Sequence, residues 1–235
     1  MPTLEINVSG QCQLRRIAER AYLSVRVSAE SPNQEEAAQN ATKALNALHA
    51  QFRELSPKAA NGVATPDAPI TVLDIGSITT SSRIPTDRDD KPTGPRQFSA
   101  SANLSATFRD FTKLSQIASQ LLMMPFVEVR AINWRLTDAT RAELAREARK
   151  KALMDAIEKA NDFAQVVTRE VHPVEINDHG ESTFPPGQPH IRTMMARAAD
   201  PDTSGHVLDL EPQEITVSAS LMAKFATAEW KSPRG

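Results

Sequence analysis

From Thr137 to Val167 the chain contains neither glycine nor proline, and alanine, leucine, glutamate, lysine and arginine dominate it. These residues favour a helix most strongly, so the stretch predicts one long helix over 137–167. Ala148, Ala152, Ala156, Ala160 and Ala164 recur at every fourth position, with Leu144, Leu153, Ile157, Phe163 and Val167 beside them. A step of four residues drifts about 40° around a 3.6-residue turn. The stripe of small side chains therefore winds slowly, and it lets the helix lie close to whatever it covers. This constrains architecture strongly and chemistry hardly at all.

With 235 residues, such a chain buries roughly 70% of the surface it exposes when unfolded, so it needs no metal or disulfide staple. Cys12 is the single cysteine and has no intramolecular disulfide partner. The net charge of −2 gives no global bias toward nucleic acid or an anionic membrane. No apolar run approaches the ~20 residues of a membrane-spanning helix. The opening Met-Pro-Thr-Leu-Glu-Ile-Asn-Val has neither a basic n-region nor an apolar h-region, so the expectation is a cytoplasmic protein.

Strict alternation marks strands. Leu4, Ile6 and Val8 share one face of a strand over 3–9 that Gly10 is expected to end, and Leu23, Val25 and Val27 share one face of a strand over 21–29. Ser31, Pro32 and Gln34 read as the N-cap, first helical position and capping-box partner of a helix reaching Leu55, before Pro57. Ile70–Thr80 reads as one strand with a bulge near Leu73. Phe98–Phe108 alternates most cleanly, with Phe98, Ala100, Ala102, Leu104, Ala106 and Phe108 on one face and polar residues on the other. Asp110 caps a short helix that buries Phe111, Leu114, Ile117, Ala118 and Leu121. Phe126–Leu136 is a strand whose apolar phase changes between Val129 and Ile132. Glu170–Asn177, marked as an edge by Pro173, and Glu214–Ala223 are the last two strands.

The order is β-β-α-β-β-α-β-α-β-β. It predicts an α+β fold, a mostly antiparallel sheet with helices on one face, and a ferredoxin-like split βαβ core between residues 21 and 136. The expected organisation is a single domain over 1–230, with flexible inserts at about 81–96 and 181–205 and a disordered tail over 231–235.

Three stretches are similar to the SIMPL-domain family, which includes bacterial periplasmic immunogenic proteins and the mammalian signalling protein that gave the domain its name. They are Ile6-Asn7-Val8-Ser9-Gly10, the alanine-rich helix core from Ala148 to Ala164, and the closing Ile215–Phe225. Together they span nearly the whole chain in the family's order. The sequence departs from the family in lacking an export signal, in having Glu19-Arg20 where Pro-Asp is usual, and in its longer inserts. The resemblance implies an α+β fold and, from at least one bacterial member, a large ring-like oligomer. It implies no established catalytic residues.

The residues themselves point to little chemistry. His49, His172, His179, His190 and His206 lack the short ligand spacings of a zinc site. Cys12 has no identifiable general base, and neither a Gly-x-Ser-x-Gly elbow nor a phosphate-binding glycine loop occurs. Asp87-Arg88-Asp89-Asp90 lacks the glycine and closing glutamate of an EF-hand. Arg141, Arg146, Arg149, Lys150 and Lys151 are interleaved with Glu143, Glu147, Asp155 and Glu158, which predicts mutual compensation along the helix. The aromatics of 98–108 lie on its buried face, so the base-stacking platform of an RRM is missing. An edge strand at 3–9 or 214–223 is the candidate for pairing with a second copy.

The expectation is therefore a non-enzymatic SIMPL-like homo-oligomer that works through protein–protein contacts. It has no catalytic, cofactor-binding or metal-binding residues, no cofactor, no nucleic-acid partner and no membrane span. The alternative is a small-molecule or metal-binding protein or enzyme using a cleft near Cys12 and the histidines. An adaptor role, suggested by the family's name, rests on analogy alone.

Overall fold

A computed structural model describes residues 4–184 and 210–227. In chain order its elements are β1 (Glu5–Ile17), β2 (Arg20–Ser31), α1 (Gln34–Glu54), β3 (Ile70–Ile75), β4 (Thr79–Arg83) and β5 (Gln97–Phe108). There follow α2 (Phe111–Leu121), β6 (Val127–Arg135), α3 (Asp138–Val166), β7 (Val171–Phe184) and β8 (Glu214–Thr227). The protein is α+β with antiparallel pairing throughout. Its strands form two sheets where one was expected, in the orders β1-β8-β7 and β3-β5-β2-β6, with β4 also paired to β5. The chain divides into two compact units, one built from Met1–Ile17, Leu136–Pro186 and Gln213–Gly235, the other from Ala18–Arg135 and Gly187–Pro212.

In the first unit α3 covers the three-stranded sheet. Thr137 caps it, its hydroxyl accepting from Thr140 N–H, and Val167 closes it, so both helix ends match the sequence reading. Ala148, Ala152, Ala156, Ala160 and Ala164 are all buried against Val8, Ala219, Leu221, Ala223 and Phe225. The small stripe works as expected. Gly10 does not end a strand: β1 runs on to Ile17, paired with β8 from Glu5↔Ala226 to Ile17↔Glu214. The reason is close approach, since a Cβ on Gly10 would lie 2.0 Å from the Ala152 carbonyl oxygen of α3. β8 is central, paired on both sides, so Glu214–Ala223 is not the free edge it was expected to be. β7 is an edge, as Pro173 suggested. It continues to Phe184, so residues 181–184 of the expected insert belong to the strand. Residues 185–205 and 231–235 of the expected insert and tail lie outside the described residues.

In the second unit the buried faces of β2 and β5 meet in register, Ala21↔Phe108, Leu23↔Ala106, Val25↔Leu104 and Val27↔Ala102. α1 covers them with Ala37, Ala41, Leu45, Leu48 and Phe52. Burying each larger aliphatic side chain in such a layer contributes about 1.5–3 kcal/mol. The phase change expected in β6 is a bulge at Arg130, since Ser24 pairs with Ala131 but Val25 with Val129. Asp110 caps α2 through Lys113 N–H, with Leu114, Ile117, Ala118 and Leu121 buried as read from the sequence, whereas Phe111, expected on the same face, is only half-buried at the helix start. The N-cap of α1 is Asn33, not Ser31, because β2 extends through Ser31. The Ser31 hydroxyl instead donates to Glu36 Oε2 at 2.6 Å and accepts from Asn33 N–H at 3.0 Å. The strand expected over 70–80 breaks at Gly76, whose N–H donates to Asn103 O at 2.8 Å, and its bulge lies between Ile70 and Val72. β4 then pairs with β5 through Arg83, so the connection expected from 81 begins after it.

Candidate functional site

The chemistry-bearing residues fall into three separate places. The first is the seam between β1 and α3. The Asp155 carboxylate on α3 accepts from Gln11 N–H at 2.9 Å and from Lys159 Nζ at 2.6 Å, and Lys159 Nζ also donates to Ser9 O at 3.0 Å. Thr227 N–H donates to Leu4 O, so the even-numbered residues at this end of β1 turn their peptide groups toward β8. Ser9 and Gln11 therefore turn theirs to the open side, and two side chains of α3 cap the middle of that edge. The i,i+4 spacing of Asp155 and Lys159 was visible in the sequence. Their reach to the backbone of β1 was not, because it depends on the close approach at Gly10.

Lys159's hydrogen bond, then that of Gln11 N–H, holds the Asp155 carboxyl below its ordinary value. A carboxyl depressed in the folded state stabilises it above the unfolded-state value, and this contribution is lost as pH falls through the folded one. Asp155→Asn should cost on the order of 1 kcal/mol at neutral pH, a figure discounted for the pair's solvent exposure. The gap from the parent should close as the medium is acidified past the carboxyl's titration. Urea denaturation across that range checks it, and a pH-independent gap would rule the carboxylate out.

Cys12 sits in the middle of β1, half-buried and packed against the alanine-rich core. It pairs with Ala219 of β8, whose partner on β7 is Glu181. His179 lies in the β7 bulge between Asp178 and Glu181, two strand spacings or about 10 Å from β1. His172 pairs with Ala226, seven residues along β8 from Ala219, or roughly 24 Å by strand rise. The register thus keeps a strand between Cys12 and both described histidines of β7. His190 and His206 lie outside the described residues. Asp87 is occupied by its own turn, its carboxylate accepting from Asp89 and Lys91 N–H at 2.9 Å each. Among the described residues no group of three His, Cys, Asp or Glu side chains is placed to hold a metal ion, and no helix is long and apolar enough to cross a membrane. The basic run on α3 is compensated at Lys151, which pairs with Glu147 at 2.8 Å, and at Arg141, which pairs with Asp138 at 3.3 Å.

The second place is the last turn of α3. Phe163, Val166 and Val167 are 56%, 84% and 49% exposed. By Ala164 the alanine stripe has wound about 160° from its position at Ala148. It leaves these three apolar side chains on the side that the sheet no longer covers.

The third place holds His49. In the second unit a groove of ≈ 560 Å³ runs between α1 and β3, lined by His49, Arg53, Ser56, Lys58, Leu73 and Ile75. Leu73 and Ile75 pair with the buried Ala106 and Leu104 of β5, so their side chains lie on the helix side of the sheet. Nothing in the sequence singled out Arg53 and Lys58. The one available signal was a pair of cations flanking a helix end marked by Pro57.

A comparison with curated proteins finds no match. The model of one protein family does match, the one described as SIMPL, protein of unknown function (DUF541), over residues 6–225. That range takes in all three resembling stretches, from Ile6 in β1 through the alanine ladder of α3 to Phe225 in β8, and the chain belongs to the SIMPL family.

Proposed function

We propose that this protein acts without catalysis, by self-association and contact with other proteins, and that the last turn of α3 is its self-association surface. The observation that carries this reading is the exposure of Phe163, Val166 and Val167 together on one turn of a helix whose buried face is its alanine stripe. Neighbouring exposed apolar side chains of this kind mark interaction sites on soluble proteins. Self-association through the edges of the three-stranded sheet is less favoured. α3 caps the middle of the β1 edge, and β7 carries Pro173 and two bulges, devices that discourage edge-to-edge pairing.

Light scattering coupled to size exclusion tests the reading. The protein should elute as a species larger than its 25.7 kDa chain. Phe163→Asp combined with Val166→Lys should shift it to the monomer with an unchanged circular dichroism spectrum. A parent protein that stays monomeric over a wide concentration range would sink the proposal.

A further inference from the structure

We propose that the groove between α1 and β3 binds an extended acidic segment of a partner protein, which adds to the free edge of β3 as a further strand. The proposal deepens the reading that this protein works by protein contact, on a different unit from the α3 surface.

Three observations carry it. β3 ends its sheet, and among the described residues nothing pairs with its outer side from Val72 to Ile75. Gly76 N–H donates inward to Asn103 O. By the alternation of an antiparallel ladder, Leu73 and Ile75 turn their N–H and C=O groups outward. Those same two residues send half-exposed apolar side chains into the groove. The backbone edge and the side-chain pocket thus belong together, which is the arrangement that strand addition uses.

The second observation is charge. Arg53 and Lys58 line the groove with His49, and no carboxylate does. Glu54 borders only its more open continuation along α1, with Asn46 and Ala50. Among the described residues no ion pair engages Arg53 or Lys58. The carbonyls of Arg53 and Leu55 at the helix end, which would disfavour an anion, already accept from Ser56 and Ile70 N–H. The third observation is Ser56, 5% exposed, whose Oγ has no hydrogen-bond partner among the described residues. A strand laid along β3 would set alternate side chains into the groove. Apolar ones would meet Leu73 and Ile75, and carboxylates would meet Arg53 and Lys58.

The experiment uses the full chain and an acetylated, amidated peptide in which every second residue is in turn glutamate or valine, with threonine between them, so that both types share one face of a strand. Binding is followed by fluorescence anisotropy and by amide chemical shifts. The acidic peptide should bind and shift the amides of Leu73, Asp74 and Ile75. Arg53→Glu with Lys58→Glu, both at exposed positions, should weaken binding by at least about tenfold, since a lost charge-assisted contact is worth a decade or more. N-methylation of the peptide backbone should abolish it. Phe163→Asp should leave it unchanged, which separates this site from the self-association surface. No binding, equal binding of a lysine–valine or N-methylated analogue, or shifts confined to the other unit would each overturn the proposal.

Discussion

Replacing Gly10 with alanine should destabilise the protein by about 3 kcal/mol, at the upper end of what inserting a methyl group into a packed interior costs. The added Cβ would lie 2.0 Å from the Ala152 carbonyl oxygen, 3.0 Å from its carbonyl carbon and 2.9 Å from the Ala156 Cβ. Two of these three neighbours are backbone atoms of a helix and have no rotamer to change. Either α3 lifts from the sheet or β1 bends away. Lifting α3 would loosen every alanine contact from Ala148 to Ala164, and bending β1 would break the Asp155 and Lys159 bonds to its edge. Gly10 lies in ordinary strand pairing with Leu221, outside the positive-φ region. Its backbone is therefore open to alanine, and the loss comes from the helix alone. At a site with room the same substitution would stabilise, by reducing the freedom of the unfolded chain.

A second variant separates the causes. Ala156→Gly removes the side-chain contact but leaves the Ala152 oxygen in place. Added to Gly10→Ala, it should restore little, and it brings the roughly 1 kcal/mol penalty of glycine inside a helix. Equilibrium urea denaturation of the four proteins in this cycle reads both terms. A near-neutral Gly10→Ala would show that β1 and α3 are not in such close contact.

Gly10 also marks the limit of what was legible in the chain. Local signals were read correctly where the physics is local. Asp110 caps the helix it was expected to cap, the long helix starts and stops within a residue of the expected 137–167, and the alternation of 98–108 sorts its residues between buried and open faces. The phase change in 126–136 appears as a bulge, because two-residue periodicity survives whatever the strand pairs with. What could not be read was pairing across the chain. A glycine in a strand pattern looks like a stop until a helix some 140 residues later is laid against it. Glu214–Ala223 looks like an edge until both neighbours, one from each side of the sequence, are known. Ser31 has every local qualification as an N-cap and loses the role to Asn33, because pairing with Phe98 carries β2 through it.

The proposed sites follow the same division. Exposure at Phe163 is implicit in the drift of the alanine stripe, which the spacing of four already contains. The groove beside β3 is not, since it requires knowing that β5 lies between β3 and β2 and leaves β3 at the end of the sheet. Arg53 and Lys58 acquire meaning only from that position.

The sheet order makes a second large prediction at the other face of α1. Phe108 is fully buried, paired with Ala21 on β2 and Ile70 on β3, and its ring meets Phe52 of α1 edge-on, with centroids 6.1 Å apart and planes at 88°. It lies between both neighbouring strands and reaches the helix through Phe52. Phe108→Ala should therefore cost about 3–5 kcal/mol, the range for removing a buried aromatic. Part of that loss is the edge-to-face pair, worth roughly 0.5–1.5 kcal/mol beyond the buried area. Phe108→Leu keeps most of the volume and should recover more than half of the loss. Phe98 provides the control, because it begins the same alternating row but is only half-buried. Its replacement by alanine should cost distinctly less, on the order of 1–2 kcal/mol. Denaturation followed by the fluorescence of Trp134, which is buried in the same unit against Phe111, ranks the three variants. Equal losses at Phe98 and Phe108 would mean that α1 does not close over the β3 end of the sheet, and the groove beside it would lose its wall.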